Sequence, residues 1–174
     1  MRRPGCIAEA VFLVVADHPL EQGVDAAFGV VDPGGRDGVR APIPWDGSTR
    51  HGWAGEPWLP WPPGPQSHNV RAERAEPGSM LHLTRRMLAL RRSASALRTG
   101  SQQVIDVADD VLAYRRTDDD GTYLVLVNHV AEPRDVEVAG EWRIELASDG
   151  AGEGGVFTGR LGPDQAVVLR AGAT

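Results

Sequence analysis

Cysteine is almost absent from this chain of 174 residues, which contains only Cys6. A single thiol excludes an internal disulfide framework, so the predicted compartment is a reducing cytoplasm. Long apolar runs are also lacking, because the segment AVFLVVA at residues 10–16 is far shorter than the roughly 20 residues that span a bilayer. This segment predicts a buried strand or an unstructured start and no membrane partner; an export signal is the alternative, since Arg2 and Arg3 precede it.

An excess of positive charge is lacking as well, since the formal net charge is −6 at pH 7. A nucleic-acid surface needs clustered Lys and Arg to release counterions, so the composition argues against nucleic acid as a partner. The five histidines show neither an HExxH motif nor the paired spacing of metal ligands. They are interpreted as structural or exposed side chains, and no metal or other cofactor is predicted.

The motifs of serine hydrolases and nucleotide hydrolases are missing too, because the chain has neither Gly-x-Ser-x-Gly nor GxxxxGK. Gly150, Gly152 and Gly155 match GxGxxG, but they lead into the strand-like VFTGRL rather than into a helix that could hold a pyrophosphate. We interpret that segment as a turn. The acidic segment Asp118 to Gly121 is interpreted as a hairpin turn rather than as a metal site.

What the sequence does contain changes along the chain. From about Gly23 to Pro77 it is rich in Gly and Pro and holds four of the five tryptophans, with PWLPWPPGP at its centre. Prolines at this density exclude a regular helix or a central strand, so the segment predicts a long surface loop. The tryptophans argue against complete disorder, and loops of this length in compact proteins are usually functional.

An amphipathic helix is predicted from Ser79 to Leu97. Ser79 can cap its start, Pro77 blocks extension upstream, and apolar residues recur at helical spacing. The predicted buried stripe comprises Met80, Leu83, Met87, Leu90 and Ala94, widened by Leu81 and Leu88. The opposite face carries Arg85, Arg86, Arg91 and Arg92. We interpret these arginines as a solvated face, with a surface for nucleic acid or a protein partner as the alternative.

From Ser101 onward the apolar period changes to two. Short runs rich in Val, Ile, Leu and Tyr alternate with turn signals; the runs are QQVIDV, VLAYRR, TYLVLVN, DVEV, WRIELA, VFTGRL and QAVVLR. Such a series predicts antiparallel strands and hence a β-sandwich. The expected fold class is therefore mainly β, with one or two helices preceding the sandwich.

Several phrases occur together in one order: GRDGVRAPIPWD at residues 35–46, GWAGEPWLP at 52–60, the helix segment, and then VLAYRR with LVLVN. In this order they closely resemble the C-terminal part of bacterial α-glucosidases and oligo-1,6-glucosidases of glycoside hydrolase family 13, the α-amylase superfamily. The resemblance covers about Asp32 to Leu169. Where these enzymes commonly have Thr-Pro-Met, this chain has Ala41-Pro42-Ile43, which is a mild change.

The resemblance implies an origin for each part of the chain. Residues 1–77 would be a partly disordered remnant of the last strand and loop of a TIM barrel, residues 78–100 its last helix, and residues 101–174 the C-terminal β-sandwich called domain C. The segment Gly35 to Pro65 would be the loop after the eighth barrel strand. Loops at the C-terminal ends of barrel strands form the active-site face.

The resemblance also implies candidate substrate-binding residues for an intact enzyme. The arginine that approaches the bound glucose in the family corresponds to Arg36, and a guanidinium suits this task because it presents several fixed donors to sugar hydroxyls. Arg40 is the alternative contact, and either arginine can instead brace the loop through Asp37. Trp45 and Trp58 are expected to stack on sugar faces or, more simply, to anchor the loop.

A retaining glycosidase needs two carboxyls about 5 Å apart. In this family they come from the middle strands of the barrel, and no segment of this sequence corresponds to those strands. The segment VNHV at Val127–Val130 imitates the family's Asn-His-Asp motif only superficially, because valine replaces the aspartate. We therefore expect a C-terminal fragment of an α-glucosidase that is inactive alone and has no catalytic residues. Its expected partners are α-linked oligosaccharides in the intact enzyme and a separately encoded barrel fragment. The alternative is an accessory module that binds carbohydrate or docks on a barrel.

Overall fold

The computed structural model describes residues 40–172, which fall into two compact units, residues 40–82 and residues 83–172. Arg36, Asp37 and the segment at residues 10–16 lie outside the described residues. The helices are α1 (Val70–Ala75), α2 (Met80–Ser93) and α3 (Ser95–Thr99). The strands are β1 (Ser101–Ile105), β2 (Val111–Asp118), β3 (Gly121–Asn128), β4 (Arg134–Asp135), β5 (Trp142–Ala147), β6 (Arg160–Leu161) and β7 (Ala166–Ala171).

The described part of the Pro/Trp-rich segment consists of turns and one short helix, which the prediction of a continuous loop missed. Helix α1 begins five residues after Pro65, the last proline before it. The side chain of Asn69 caps this helix, accepting a hydrogen bond from the amide of Ala72 at 3.0 Å. A capping asparagine followed by VRAERA is sufficient for one and a half turns of helix once no proline interrupts it.

The predicted helix from Ser79 to Leu97 begins where expected but ends earlier. Ser79 Oγ accepts from the amide of His82 at 3.4 Å, as a capping residue does. At Ala94 the backbone is extended (φ −109°, ψ 111°), which divides the predicted helix into α2 and α3. The break lets Ala94 and Ala96 pack with Tyr123, so tertiary packing overrides a continuous helical pattern. The described residues therefore contain three helices rather than the one or two expected.

The buried stripe of α2 is narrower than predicted. Leu83 is buried and Met87 and Leu90 are half-buried, but Leu88 is 47% exposed and Met80 lies at the surface. The arginine face is exposed, as predicted, and Arg86 forms an ion pair with Glu153 at 2.6 Å. Leu88 follows Met87 on the helix and is turned by about 100° from it, which is enough to leave the core-facing stripe.

The predicted antiparallel sheet is confirmed. Five strands form one sheet in the order β1-β2-β3-β7-β5, and every neighbouring pair is antiparallel. The predicted hairpin at Asp118 to Gly121 is also confirmed, because Asp118 pairs with Gly121 across a two-residue connection. Strands β4 and β6 form a separate two-stranded ladder.

Two predicted strands are shorter than their apolar patterns suggested. In VFTGRL only Arg160 and Leu161 form a strand, and in DVEV only Asp135 does. The reason is Gly159, whose positive φ of 85° turns the chain between two partners. Before this turn the amide of Phe157 donates to Trp142 O of β5 at 2.8 Å. After it the chain pairs with β4 instead.

The main core lies on one face of the five-stranded sheet. Leu124 and Leu126 of β3 point into it together with Val167 and Leu169 of β7. Val136 and Leu161 beside the β4–β6 ladder join the same cluster, so the ladder covers this face. On the other face, Val125 and Val127 form a second buried cluster with Ala166. Strand β3 is therefore buried on both faces, which explains its uninterrupted apolar run.

The VNHV segment and the GxGxxG match both have structural roles. Asn128 in VNHV ends β3, is fully buried, and donates through Nδ2 to Glu132 O and Gly162 O at 2.8 Å. Gly150 and Gly152 lie in turns with positive φ, so the segment is a turn as predicted. Among residues 40–172, no helix is long and apolar enough to cross a membrane.

Candidate functional site

The sequence-predicted site residues are only partly within the described structure. Arg36 and Asp37 precede residue 40 and lie outside it. Arg40 is exposed. Trp45 is 49% exposed and Trp58 is 82% exposed, although both are large and apolar. The three described residues all belong to the unit formed by residues 40–82, which we call the loop unit.

The loop unit is organised by a tight turn that follows Trp45. The amide of Trp45 donates to His51 O at 2.8 Å, and the amide of His51 donates to Ser48 O at 3.0 Å. Gly52 completes the turn with φ 82°, and a Cβ atom at this position would lie 2.8 Å from Trp45 Cβ. Only glycine meets both requirements, so the sequence WDGSTRHG dictates where the indole of Trp45 stands.

Asp46 holds this turn together with its carboxylate. One oxygen accepts from the amide of Ser48 at 3.0 Å and the other forms an ion pair with Arg71 at 3.2 Å. Hydrogen bonds from Ser48 hold the pKa of Asp46 below its ordinary value, and the charge of Arg71 acts in the same direction. A carboxyl that is already ionised and bound is a poor general acid, so Asp46 supports a structural role.

Asn69 closes the other end of the loop. Its Nδ2 donates to Pro65 O at 3.2 Å and to Gln66 O at 3.0 Å, while its Oδ1 caps α1. The backbone packs closely here, because a Cβ atom at Gly47 would lie 2.8 Å from Gln66 O. One buried amide side chain therefore connects the proline-rich segment to the helix that follows it.

An aromatic cluster in the loop unit was not predicted from the sequence. The ring of Trp61 meets the imidazole of His51 edge to face at 4.6 Å, and meets Trp53 in the same way at 5.9 Å. Trp53 Nε1 donates to Ile43 O at 2.8 Å, which orients the indole. His51 is buried and packs against Trp61, which agrees with the structural role that was one of the two interpretations of the histidines. The one local sequence signal of this packing was Gly52, directly after His51.

The described residues of the loop unit expose aromatic rings and guanidinium groups on their surface. The described loop presents exposed indoles at Trp45, Trp53 and Trp58 and a cation at Arg40. Glu56 is exposed on the surface. Within residues 40–172, no three His, Cys, Asp or Glu side chains converge as metal ligands would. Aromatic faces and guanidinium donors are typical of surfaces that bind polar, ring-shaped ligands.

Comparison with known proteins shows what this chain is similar to. Residues 18–100 match the family described as α-amylase, catalytic domain. The chain is 32% identical over 134 residues to the glucan 1,6-alpha-glucosidase of Streptococcus pneumoniae, covering 76% of this chain and 24% of that protein. It is 33% identical over 143 residues to the oligo-1,6-glucosidase of Halalkalibacterium halodurans, covering 77% and 25% of the two chains.

A solved structure shows the same similarity in three dimensions. The trehalulose synthase MutB from Pseudomonas mesoacidophila superposes with a TM-score of 0.69 at 33% identity, covering 79% of this chain and 26% of that chain. This chain thus spans about a quarter of the length of the curated relatives it matches. In the order of its sequence motifs, in the matched domain and in its fold, this chain resembles the corresponding part of the α-amylase family, glycoside hydrolase family 13.

Proposed function

We propose that this chain supplies the C-terminal part of an α-glucosidase that hydrolyses α-linked glucosides with retention. The observation that carries the proposal is the similarity to glucosidases over three quarters of this chain but only about a quarter of theirs. In this proposal residues 1–77 derive from the end of the barrel, 78–100 from its last helix, and 101–174 form the C-terminal β-sandwich. The packing of the β4–β6 ladder against the five-stranded sheet supports the sandwich. The single cysteine supports a cytoplasmic location.

The loop unit would contribute to substrate binding in the assembled enzyme. Arg36 or Arg40 would donate to hydroxyls of the glucose at the cleavage point, and Asp37 would brace the arginine. Trp58 is the better candidate for stacking, because its indole is almost entirely exposed. Trp45 is the better anchor, because its backbone closes the turn and its Cβ packs against Gly52.

Catalysis would depend on carboxyls outside this chain. Retaining hydrolysis needs one carboxylate as nucleophile and one carboxylic acid to protonate the leaving oxygen, about 5 Å apart. Asp46 cannot serve as the acid because Ser48 and Arg71 stabilise its ionised form.

The test is an activity assay on the purified 174-residue chain, alone and mixed with the barrel part of a matching glucosidase. Alone, it should not hydrolyse maltose or a nitrophenyl α-glucoside above background. The mixture should hydrolyse both, and Arg36→Ala should reduce kcat/KM of the mixture by about tenfold or more, the cost of one charged hydrogen bond. Trp53→Phe provides a control for loop structure. Turnover by the chain alone that disappears in Asp37→Ala would refute the proposal.

The alternative, an accessory module that docks on a barrel or binds carbohydrate without contributing to an active site, has the same sheet but a different prediction. It requires that the barrel part hydrolyses substrate equally well without this chain. An unchanged kcat/KM on addition of the chain would therefore favour the alternative.

A further inference from the structure

The two edges of the five-stranded sheet are protected to different degrees. Strand β5 forms one edge and β1 forms the other. Along the outer side of β5, the amide of Ile144 donates to Gly155 O at 2.9 Å and the amide of Gly154 donates to Ile144 O at 2.7 Å, so the turn that follows β5 covers this edge. Along the outer side of β1, residues 40–172 provide no other strand and no backbone hydrogen bond.

Alternate peptide groups of β1 point away from the sheet. The residues that flank the two-residue turn between β2 and β3 form a hydrogen-bonded pair, and such pairs alternate along an antiparallel ladder. Thr117, the next residue of β2, therefore directs its peptide groups to β1, where it pairs with Ser101. The same alternation along β1 directs the N–H and C=O groups of Gln102 and Val104 outward.

The side chains of β1 do not protect its edge. Natural sheets protect their edges with charged side chains, proline or β-bulges. Strand β1 has the sequence SQQVI, which contains neither a charge nor a proline, and its register with β2 has no bulge. Its apolar residue Val104 is 67% exposed. An edge with these properties is a template for a further strand.

Val104 is the exposed end of an apolar row. It pairs with Tyr114 on β2, which pairs in turn with Val125 on β3. Val125 is buried in the second core cluster, and the half-buried Tyr114 packs against that cluster. The row therefore passes from buried to exposed toward β1. An additional strand that brings an apolar side chain to this face would extend the cluster and cover Val104.

The two ends of β1 carry opposite charges. Arg116 is held over the start of the strand, because its Nη1 donates to Gln102 Oε1 at 2.9 Å. Asp106 directly follows the end of the strand and is exposed. Asp118, further along β2, has Arg98 as a neighbouring positive charge. A second β1 in antiparallel orientation would bring its Asp106 to Arg116 at both ends, whereas a parallel one would put like charges together.

We propose that β1 binds β1 of a second copy of this chain, antiparallel and with Gln103 on the two-fold axis, so that the two sheets become one. This register pairs the whole of β1 with the whole of its copy. Gln102 of each copy would exchange backbone hydrogen bonds with Val104 of the other, and the two Val104 side chains would lie diagonally on one face. The interface is small, so we expect a weak, concentration-dependent dimer. The dimer does not depend on the proposed α-glucosidase function.

Disulfide cross-linking tests the register. At Gln103 the two strands would form a non-hydrogen-bonded pair with Cα atoms about 4.5 Å apart, within the range of a disulfide. In a Cys6→Ser background, Gln103→Cys should therefore give a covalent dimer on mild oxidation with diamide. Gln102→Cys is the matched control, because Gln102 is also exposed on β1 but would lie opposite Val104 of the other copy. It should cross-link at least about tenfold more slowly, since its two thiols do not meet.

Sedimentation velocity tests the association itself. The unmodified chain should pass from monomer to dimer between about 1 and 100 μM, as a weak interface does. Val104→Lys should raise the dissociation constant by about tenfold or more, because it places like charges side by side. Val156→Lys is the matched control, because Val156 is 50% exposed but lies beside the covered edge at β5, and it should leave the dimer unchanged.

A chain that stays monomeric at every concentration, equal cross-linking by Gln102→Cys and Gln103→Cys, or an undiminished dimer in Val104→Lys would overturn the proposal. Hydrogen exchange at the amide of Val104 identifies other occupants. Protection in a monomer would mean that another segment of the same chain covers the edge, and protection only after addition of the barrel part would mean that the edge receives that part; either result would also overturn the proposal. A dimer without restored hydrolysis in the activity assay would remove only the α-glucosidase proposal.

Discussion

The loop unit and the unit formed by residues 83–172, which we call the sheet unit, bury their apolar side chains to very different extents. In residues 83–172 the core leucines Leu124, Leu126 and Leu169 have no exposed surface. In residues 40–82 the largest apolar side chains are the tryptophans, and Trp58 is almost entirely exposed. The sheet unit is held together by its own core, whereas the loop unit is held by hydrogen bonds of Asp46, His51 and Asn69. Apolar surface that a unit leaves exposed is a candidate binding surface.

The largest difference should appear in protease sensitivity. A protease cleaves a segment only after that segment has unfolded. A segment with few apolar contacts unfolds locally, whereas a core sheet is exposed only by nearly global unfolding. Limited trypsin digestion should therefore cut before Pro77, for example after Arg71 or Arg74, orders of magnitude faster than within the sheet. Intact mass spectrometry of early time points identifies the sites. If the first cleavage occurred after Arg115 or Arg116, the predicted difference in stability between the loop unit and the sheet unit would be wrong.

Core truncation should show the next largest effect. Leu126→Ala deletes a fully buried side chain from β3 and should lower the free energy of unfolding of the sheet unit by about 2–5 kcal/mol. Trp58→Ala deletes a larger but exposed side chain and should change it by less than about 0.5 kcal/mol. Urea unfolding followed by circular dichroism at strand wavelengths compares the two variants. Similar losses for both would mean that Trp58 is part of a core.

Asn69 tests the polar support of the loop unit. Asn69→Ala removes the cap of α1 and two donors to backbone carbonyls, and should destabilise the loop locally by about 1–3 kcal/mol. Hydrogen exchange at the amide of Ala72 measures this loss. Asn69→Asp keeps the capping oxygen and removes the donors, so protection at Ala72 should largely survive. Equal exchange in both variants would mean that the cap itself contributes nothing.

The smallest expected effect is the acid titration of the loop turn. The folded-state pKa of Asp46 is lowered, so the stability it contributes is present above the ordinary aspartate pKa of about 3.9 and is lost as the pH falls through the folded value. Carboxyl NMR titration should place the pKa of Asp46 below the ordinary aspartate value. Ser48→Ala should move the Asp46 pKa upward because it removes the hydroxyl, whereas Thr49→Ala should not. An unchanged Asp46 pKa in Ser48→Ala would assign the shift to other groups.

Much of the sheet unit followed from sequence because its signals are local. Period-two apolar patterning identified each long strand, and Asp118 to Gly121 identified the central hairpin, since Asp and Gly tolerate the backbone angles of tight turns. The family motifs around residues 35–60 likewise identified the family, because their order is specific. A pattern that depends only on a residue and its neighbours in the sequence can be recognised before the structure is known.

Tertiary structure alone decided the features that depend on residues distant in sequence. The helix breaks at Ala94 because Ala94 and Ala96 pack on Tyr123, which no helical period records. VFTGRL divides its pairing between β5 and β4 because Gly159 turns the chain between them. In the same way, His51 meets Trp61 and Asp46 meets Arg71 only after the loop has closed. Sequence determines local conformation and burial pattern, whereas long-range contacts depend on where folding places each segment, so they appear only in the folded chain.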